Sequence, residues 1–170
     1  MVKITDLLTP TRVIPELHAA DKDDLLRKLA ICLSSDANVA IETVLAAVTT
    51  KAALPPLMLR GGVSLFHTIV EGLDRPLVSF ARLRTPLILT GTDYCATDLA
   101  LLLASPAEKT GTHLQALACL ARRVRRPDVL KHIRATKSRD VMYLALTSDE
   151  WRALPFESSS AATNGLRQWI

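Results

Sequence analysis

A run of apolar residues between Asp98 and Pro106 constrains the fold more than any other feature of the chain. Six consecutive apolar residues, Leu99 to Ala104, leave no polar position that would face water. The run is short for a helix and is followed closely by a proline, and both properties favour a β-strand covered on both faces. Such a strand needs a sheet with helices on its two sides.

The remaining chain supplies the elements of a layered domain. Short β-favouring runs bounded by glycine and proline predict strands at Val13–Ile14, Leu57–Leu59, Val63–Phe66, Leu77–Ala81 and Leu87–Leu89. Apolar residues at helical spacing and capping residues predict helices from Asp21, from about Val39 to Thr50, from Thr112, from Pro127 and after Ser138. We therefore predict one α/β domain over residues 1–154, with a central mixed sheet flanked by helices. Residues 155–170, which include the small and polar run from Glu157 to Gly165, are expected to form a flexible tail.

Composition restricts the function classes. Of 170 residues, 49% are hydrophobic and 22% charged, which is typical of a folded domain. Only 4% are aromatic, and the basic stretch Arg122–Arg139 has no interleaved aromatic residue, so nucleic-acid binding is not indicated. Three cysteines without a CxxC pair favour free thiols in a reducing compartment. No apolar run approaches the ~20 residues of a membrane span, and no signal peptide is visible. We expect a cytoplasmic protein without membrane insertion.

Two histidines occupy distinctive positions. His67 ends an apolar, strand-like run that follows Gly61-Gly62, and His113 stands at the start of an amphipathic helix. A histidine at a strand end that faces one at a helix start is a workable arrangement for imidazole phosphorylation. One ring is then the nucleophile, and the other neutralises or orients the transferred phosphoryl group.

Other interpretations of these residues remain open. Either histidine is also compatible with a purely structural role. A metal site of His67, His113 and Cys95 has suitable ligand types but no short ligand spacing. A hydrolase triad of Ser64, His67 and Asp98 lacks the Gly-x-Ser-x-Gly nucleophile elbow.

The order of several segments adds a family resemblance. They are Gly62-Val63-Ser64-Leu65-Phe66-His67, Arg84-Thr85-Pro86-Leu87-Ile88-Leu89, Thr97-Asp98-Leu99-Ala100-Leu101-Leu102 and the stretch from Pro106 to Leu117, which contains Lys109-Thr110-Gly111-Thr112-His113-Leu114. In this order the chain, from roughly Val2 to Thr147, resembles the mannitol/fructose-type enzyme IIA domain of the bacterial phosphotransferase system. The nitrogen-regulatory branch is the nearest.

The resemblance implies a site and its partners. His67 would accept a phosphoryl group from the phosphohistidine of a carrier protein, HPr or its nitrogen-branch counterpart, and an unidentified target protein would respond to the phosphorylation state. His113 would contact the phosphoryl oxygens, and Lys51 stands where the family usually has an arginine. Gly61, Gly62 and Asp98 are the candidate substrate-binding residues, because glycines let backbone N–H groups approach a phosphate. No metal or organic cofactor is implied.

The chain departs from the family pattern around His67. The family usually has Ser-Thr-Gly-Ile-Gly-x-Gly before the strand and Pro-His-Gly at its end, whereas this chain has Pro56-Leu57-Met58-Leu59-Arg60-Gly61-Gly62, and Phe66 and Thr68 flank the histidine. We expect the apolar residues of this segment to cover part of the phosphate position or to offer a docking surface. The departure keeps a second function open, namely an enzyme IIA-like interaction module that regulates a partner by binding alone.

Overall fold

A computed structural model of the protein describes residues 1–51, 56–89 and 96–153. Within these ranges the chain forms five β-strands and six α-helices. The strands are β1 (Val13–Leu17), β2 (Leu57–Leu59), β3 (Val63–Val70), β4 (Leu77–Leu87) and β5 (Thr97–Pro106). The helices are α1 (Ile4–Leu7), α2 (Lys22–Ser34), α3 (Ile41–Lys51), α4 (Thr110–Val124), α5 (Pro127–Ala135) and α6 (Arg139–Thr147). Two 3-10 turns cover Pro10–Arg12 and Glu150–Ala153.

The strands form one mixed sheet in the order β1-β4-β5-β3-β2. β5 lies at its centre, parallel to β3 and antiparallel to β4. The two outer strands also differ in direction: β1 is parallel to β4, and β2 is antiparallel to β3. The predicted fold class, a layered α/β domain with a mixed sheet, is confirmed.

Helices cover both faces of the sheet, and the residues of β5 alternate between them. Leu99, Leu101 and Leu103 pack in a layer with α1, α4, α5 and α6. Ala100, Leu102 and Ala104 pack in a second layer with α2 and α3. All six side chains are at most 1% exposed, which explains why the run shows no polar alternation. The prediction of a strand covered on both faces is confirmed.

Local capping chemistry sets several helix starts. The side chain of Asp21 accepts a hydrogen bond from the Asp24 amide at 2.8 Å and caps α2, and Ser138 accepts from the Val141 amide and caps α6. α4 begins at Thr110, two residues before the predicted start at Thr112.

The prediction of a separate strand at Leu87–Leu89 is wrong. β4 continues from Leu77 to Leu87 in one element, and its register against β5 shifts between Arg82 and Leu87. Pro86 is tolerated there because it lies in the interval where the ladder is irregular and its missing N–H costs no regular pairing.

Arg123 and Arg126 of the basic stretch join the C-terminal helices. Arg123 donates to the carbonyl of Ala145 at 2.9 Å and to the carboxylate of Asp149 at 2.8 Å. Arg126 donates to Asp149 and to Asp128. These two arginines therefore hold α4, α5 and the end of α6 together.

None of the helices in the described ranges is long and apolar enough to span a membrane. The predicted tail, residues 155–170, lies outside the described part of the chain.

Candidate active site

The alternation of β3 directs His67 toward α4. Val63 and Leu65 pack in the layer that contains α4, whereas Phe66 and Val70 pack in the layer with α2 and α3. Because successive side chains of a strand point to opposite faces, His67 shares the face of Val63 and Leu65. Its side chain is half-buried.

His113 heads the buried stripe of α4. Ala116, Leu120 and Val124 follow it at helical spacing, and each is at most 1% exposed. β5 ends at Pro106, so α4 begins near the carboxyl ends of the parallel strands β3 and β5. His113 is itself only 7% exposed, and the helix therefore presses this ring onto the sheet beside His67.

The two imidazole rings lie in direct contact. Nε2 of His113 is 3.3 Å from Nδ1 of His67. The ring centroids are 5.3 Å apart, and the ring planes are inclined by 51°. On its other side, Nδ1 of His113 lies 2.8 Å from Oγ of Ser105 on β5. The proximity of the two histidines, expected from the sequence, is confirmed, and their chemical roles stay a prediction.

This geometry defines what the pair can do. A hydrogen bond between two neutral imidazoles needs one nitrogen to donate and the other to accept. When the proton sits on Nδ1 of His67, the lone pair of that ring is on Nε2, which makes Nε2 the candidate nucleophile. The buried ring of His113 is placed to orient the ring of His67, which is itself half-buried.

Gly61, Gly62 and Asp98 form a different cluster at the opposite end of β3. Gly62 precedes His67 by five positions, about 16 Å at the usual rise of a strand. The carboxylate of Asp98 accepts two hydrogen bonds of 2.6 Å from Arg134, which also donates to the carbonyl of Gly61. Both glycines have positive φ, +84° and +78°, as the turn before β3 requires. The structure therefore does not bring these three residues to the histidine pair.

Two other candidate residues, Lys51 and Cys95, have side chains outside the described part of the chain. The backbone of Lys51 is described and forms the last residue of α3. In the described ranges, no group of three or more histidine, cysteine, aspartate or glutamate side chains is placed to hold a metal ion.

The hypothesis of a hydrolase triad is wrong. Ser64 precedes Leu65 and so points to the other face of the sheet from His67. Its hydroxyl lies 2.6 Å from the hydroxyl of Thr97, and the Asp98 carboxylate is engaged by Arg134. The three side chains therefore do not meet: Ser64 lies on the opposite face of the sheet from His67, and Asp98 is paired with Arg134.

The segment that departs from the family pattern contains an edge strand. β2 pairs antiparallel with β3, with Leu57 opposite Leu65 and Met58 opposite Ser64. The sulfur of Met58 lies 3.1 Å from Oγ of Ser64, so Met58 faces away from the layer that contains the histidines. The expectation that Met58 covers the phosphate position is therefore wrong. Leu57 shares the face of His67, one diagonal position away, and is 45% exposed.

Ser105 is the site residue that sequence reasoning missed. Its hydroxyl is buried and lies beside His113. The available signal was its register in β5: Ser105 continues the series Leu99, Leu101 and Leu103 that faces α4, and it is the polar member of that series.

With the fold and the histidine pair described, the chain was compared with known proteins. The family model of the phosphoenolpyruvate-dependent sugar phosphotransferase system, EIIA 2, matches residues 6–148. A nitrogen regulatory protein of Bradyrhizobium diazoefficiens is 29% identical over 143 residues, which cover 84% of this chain and 94% of the relative.

Solved structures agree in fold. The crystal structure of nitrogen regulatory protein IIA-Ntr from Neisseria meningitidis has a TM-score of 0.76 at 21% identity and covers 85% of this chain and 99% of its own. The mannitol enzyme IIA of Escherichia coli, solved in complex with phosphorylated enzyme IIB, has a TM-score of 0.64 at 18% identity and covers 82% of this chain and 95% of its own. The resemblance inferred from the sequence is confirmed. By the match over residues 6–148, the chain belongs to the EIIA 2 family of the phosphoenolpyruvate-dependent sugar phosphotransferase system.

Proposed function

We propose that the protein is a regulatory phosphocarrier in which His67 accepts a phosphoryl group from the phosphohistidine of a carrier protein. The observation that carries the proposal is the 3.3 Å contact between Nδ1 of His67 and Nε2 of His113. It combines one half-buried imidazole with a second, buried imidazole that fixes its orientation. The nitrogen regulatory relatives support a regulatory role within the phosphotransferase system.

The proposed chemistry depends on positioning and on electrostatics. Nε2 of His67 attacks the phosphorus in line, the new N–P bond forms, and the N–P bond to the carrier histidine breaks. His113 orients the acceptor ring and stabilises the charge of the phosphoryl group. From the family resemblance, we also propose Lys51 as a supporting cation. The activity is that of a phosphotransferase, with the protein itself as acceptor.

The donor we propose is HPr or its nitrogen-branch counterpart. Leu57 and Leu114 are 45% and 61% exposed. Leu57 shares the face of His67, and Leu114 directly follows His113 near the start of α4. We call these two side chains the apolar rim. Exposed apolar side chains beside a reactive group suit the docking of a protein partner.

Phosphorylation would then regulate an unidentified target protein. A phosphoryl group adds nearly two negative charges and strong acceptor oxygens at one place on the surface. The rim and the charge lie on the same part of the molecule, so the charge state determines which partner docks there.

We further propose that residues 1–154 form the functional domain and that the protein works in the cytoplasm. Burial raises the pKa of the thiols of Cys32 and Cys119. The thiols are therefore less reactive than exposed ones, and with no CxxC pair in the sequence they are consistent with free cysteines.

The test is carrier-dependent labelling. The protein is incubated with phosphoenolpyruvate, enzyme I and the carrier, and its intact mass and phosphohistidine content are measured. We expect one phosphoryl group on the wild type and none on His67→Ala. His18→Ala is the matched control, since His18 is exposed and lies at the end of β1. Undiminished acid-labile labelling of His67→Ala would remove His67 from the acceptor role.

The second candidate is an interaction module without phosphotransfer. It is favoured by the segment Pro56–Arg60, which departs from the glycine-rich family pattern and whose Leu57 is 45% exposed on the face of His67. Phe66 and Thr68, which replace the usual flanking proline and glycine, are buried in the opposite layer and do not obstruct His67. A folded wild type that gains no phosphohistidine would favour this candidate.

A further inference from the structure

A buried serine completes a hydrogen-bonded row behind His67. Ser105 is 0% exposed and pairs with Ile69 of β3 in the parallel register. Its Oγ lies 2.8 Å from Nδ1 of His113, whose Nε2 lies 3.3 Å from Nδ1 of His67. The three side chains come from β5, α4 and β3, so the row joins the helix to both strands.

The row has two self-consistent directions of hydrogen bonding. In the first, His67 donates from Nδ1 to Nε2 of His113, and His113 donates from Nδ1 to the oxygen of Ser105. In the second, the Ser105 hydroxyl donates to Nδ1 of His113, and His113 donates from Nε2 to Nδ1 of His67. A neutral imidazole carries one N–H, so each direction fixes the tautomers of both rings.

Only the first direction leaves His67 ready to react at Nε2. In the second, Nδ1 of His67 receives a hydrogen bond and Nε2 carries the proton, so Nε2 has no lone pair for attack. We propose that Ser105 is a positioning residue: it accepts a hydrogen bond from Nδ1 of His113 and thereby turns the unprotonated Nε2 of His113 toward His67. The consequence for phosphotransfer rests on the function proposed above.

The proton of His67 then has a defined destination. As the N–P bond forms at Nε2 of His67 and the N–P bond of the carrier phosphohistidine breaks, the proton on Nδ1 of His67 passes to Nε2 of His113. His67 becomes a neutral phosphoimidazole, and His113 becomes an imidazolium that donates to both Nδ1 of His67 and Oγ of Ser105. The positive charge is thus generated on the ring that is hydrogen-bonded to Nδ1 of His67, across that ring from the arriving phosphoryl group, and the reverse transfer returns the proton.

A hydroxyl suits this position better than a carboxylate. A serine oxygen accepts a hydrogen bond without adding a negative charge, whereas a carboxylate would favour the imidazolium form of His113 before the phosphoryl group arrives. The full burial of Ser105 strengthens the bond, because water does not compete for either partner.

The test begins with the tautomers. Nitrogen-15 NMR of the histidine rings of the unphosphorylated protein, at a pH where both rings are neutral, reports which nitrogen carries each proton. We expect His113 and His67 both to be protonated on Nδ1 in the wild type. In Ser105→Ala, we expect His113 to shift toward the Nε2-protonated form and labelling by the carrier to slow about 10- to 100-fold, by analogy with the loss of a group that orients a metal-binding histidine.

Two variants separate orientation from burial. Ser79→Ala is the matched control: Ser79 is also 0% exposed, but its hydroxyl donates to the carbonyl of Leu29 in the opposite layer. Ser105→Thr retains the hydroxyl and should retain the wild-type tautomer of His113. Protonation of His113 on Nε2 in the wild type, or an unchanged tautomer in folded Ser105→Ala, would overturn the proposal. Failure of the wild type to gain phosphohistidine, with the expected tautomers observed, would overturn the proposed function alone.

Discussion

At the scale of single residues, the two histidines differ in burial and therefore in what they can do. His113 is held between the sheet and its own helix at 7% exposure, whereas His67 is half-buried. On the proposed function, the buried ring of His113 orients and the half-buried ring of His67 reacts. The glycines before β3 contribute differently, because they shape a turn about 16 Å away from His67 along the strand.

Gly62→Ala should destabilise the fold without changing the chemistry. Gly62 has a φ of +78°, and a Cβ there would lie 2.8 Å from Oδ1 of Asp98 and 3.1 Å from the carbonyl of Ala96. We expect the free energy of unfolding, measured by denaturant titration, to fall by about 2–4 kcal/mol, since backbone strain and a close contact add. The labelling rate of the folded variant should stay unchanged.

Gly72→Ala is the matched control for this experiment. Gly72 has a nearly equal φ of +80°, but a Cβ there would meet no atom within 4 Å. Gly72→Ala should lower the free energy of unfolding by about 1–2 kcal/mol, because only the backbone conformation is strained. A slower phosphotransfer in Gly62→Ala alone would show that this turn does serve the histidine site.

At the scale of elements, the start of α4 carries two consecutive residues that differ in burial. His113 belongs to the buried stripe, and Leu114, the next residue, is 61% exposed. The helix therefore brings an exposed apolar side chain and a candidate site residue to one end of the sheet.

Leu114→Ser should weaken donor docking. We expect the carrier concentration needed for half-maximal labelling to rise about 10-fold, the equivalent of ~1.4 kcal/mol of lost apolar contact. The rate at saturating carrier and the free energy of unfolding should change little, because Leu114 is 61% exposed. Leu57→Ser should also raise the carrier concentration needed for half-maximal labelling.

Ile31→Ser is the control for an exposed apolar residue elsewhere. Ile31 is 45% exposed and lies on α2, which packs on the opposite face of the sheet. Equal effects of Leu114→Ser and Ile31→Ser would argue against a docking role for the apolar rim.

The sequence predicted the elements better than their arrangement. β5 was predictable because burial on both faces removes polar alternation, and α2 and α6 because Asp21 and Ser138 are capping residues. The continuity of β4 through Pro86 was not predictable, since a proline normally ends a strand and only the irregular register accommodates it. The predicted proximity of His67 and His113 depended on family resemblance, because the parallel pairing of β3 with β5 cannot be read from local patterns. Ser105 was missed because its role depends on that same pairing.

At the scale of the whole molecule, the N-terminal segment is fastened to the end of α2 by a buried arginine. Arg12 is 1% exposed and donates to Asp36 at 2.5 Å and to the carbonyl of Leu7 at 3.0 Å. Burial raises the pKa of Asp36, but hydrogen bonds from Arg12, Thr11 and Thr9 outweigh it and leave that pKa below its ordinary value.

This carboxylate should make stability depend on acid pH. Because the pKa of Asp36 is lower in the folded state than in the unfolded chain, its contribution is complete well above pH ~4 and is lost as the pH falls through the folded value. Asp36→Asn should lower the free energy of unfolding by about 1–2 kcal/mol at pH 7, a modest value because Asp36 is partly exposed.

The difference between wild type and Asp36→Asn should shrink when both are measured below pH ~4. Asp74→Asn, at an exposed turn residue, serves as the control and should show a much smaller difference at either pH. A constant difference from pH 7 to pH 3 would show that Asp36 acts by packing and not by charge.

The separation of the two histidines along the chain also has a consequence for biosynthesis. The paired nitrogens belong to residues 46 positions apart, on a strand and on a helix that follow one another only after β4 and β5 have been made. A ribosome that has released β3 has exposed the His67 ring before His113 has been made. On the proposed function, competence for phosphotransfer therefore arises only after α4 has emerged and docked on the sheet.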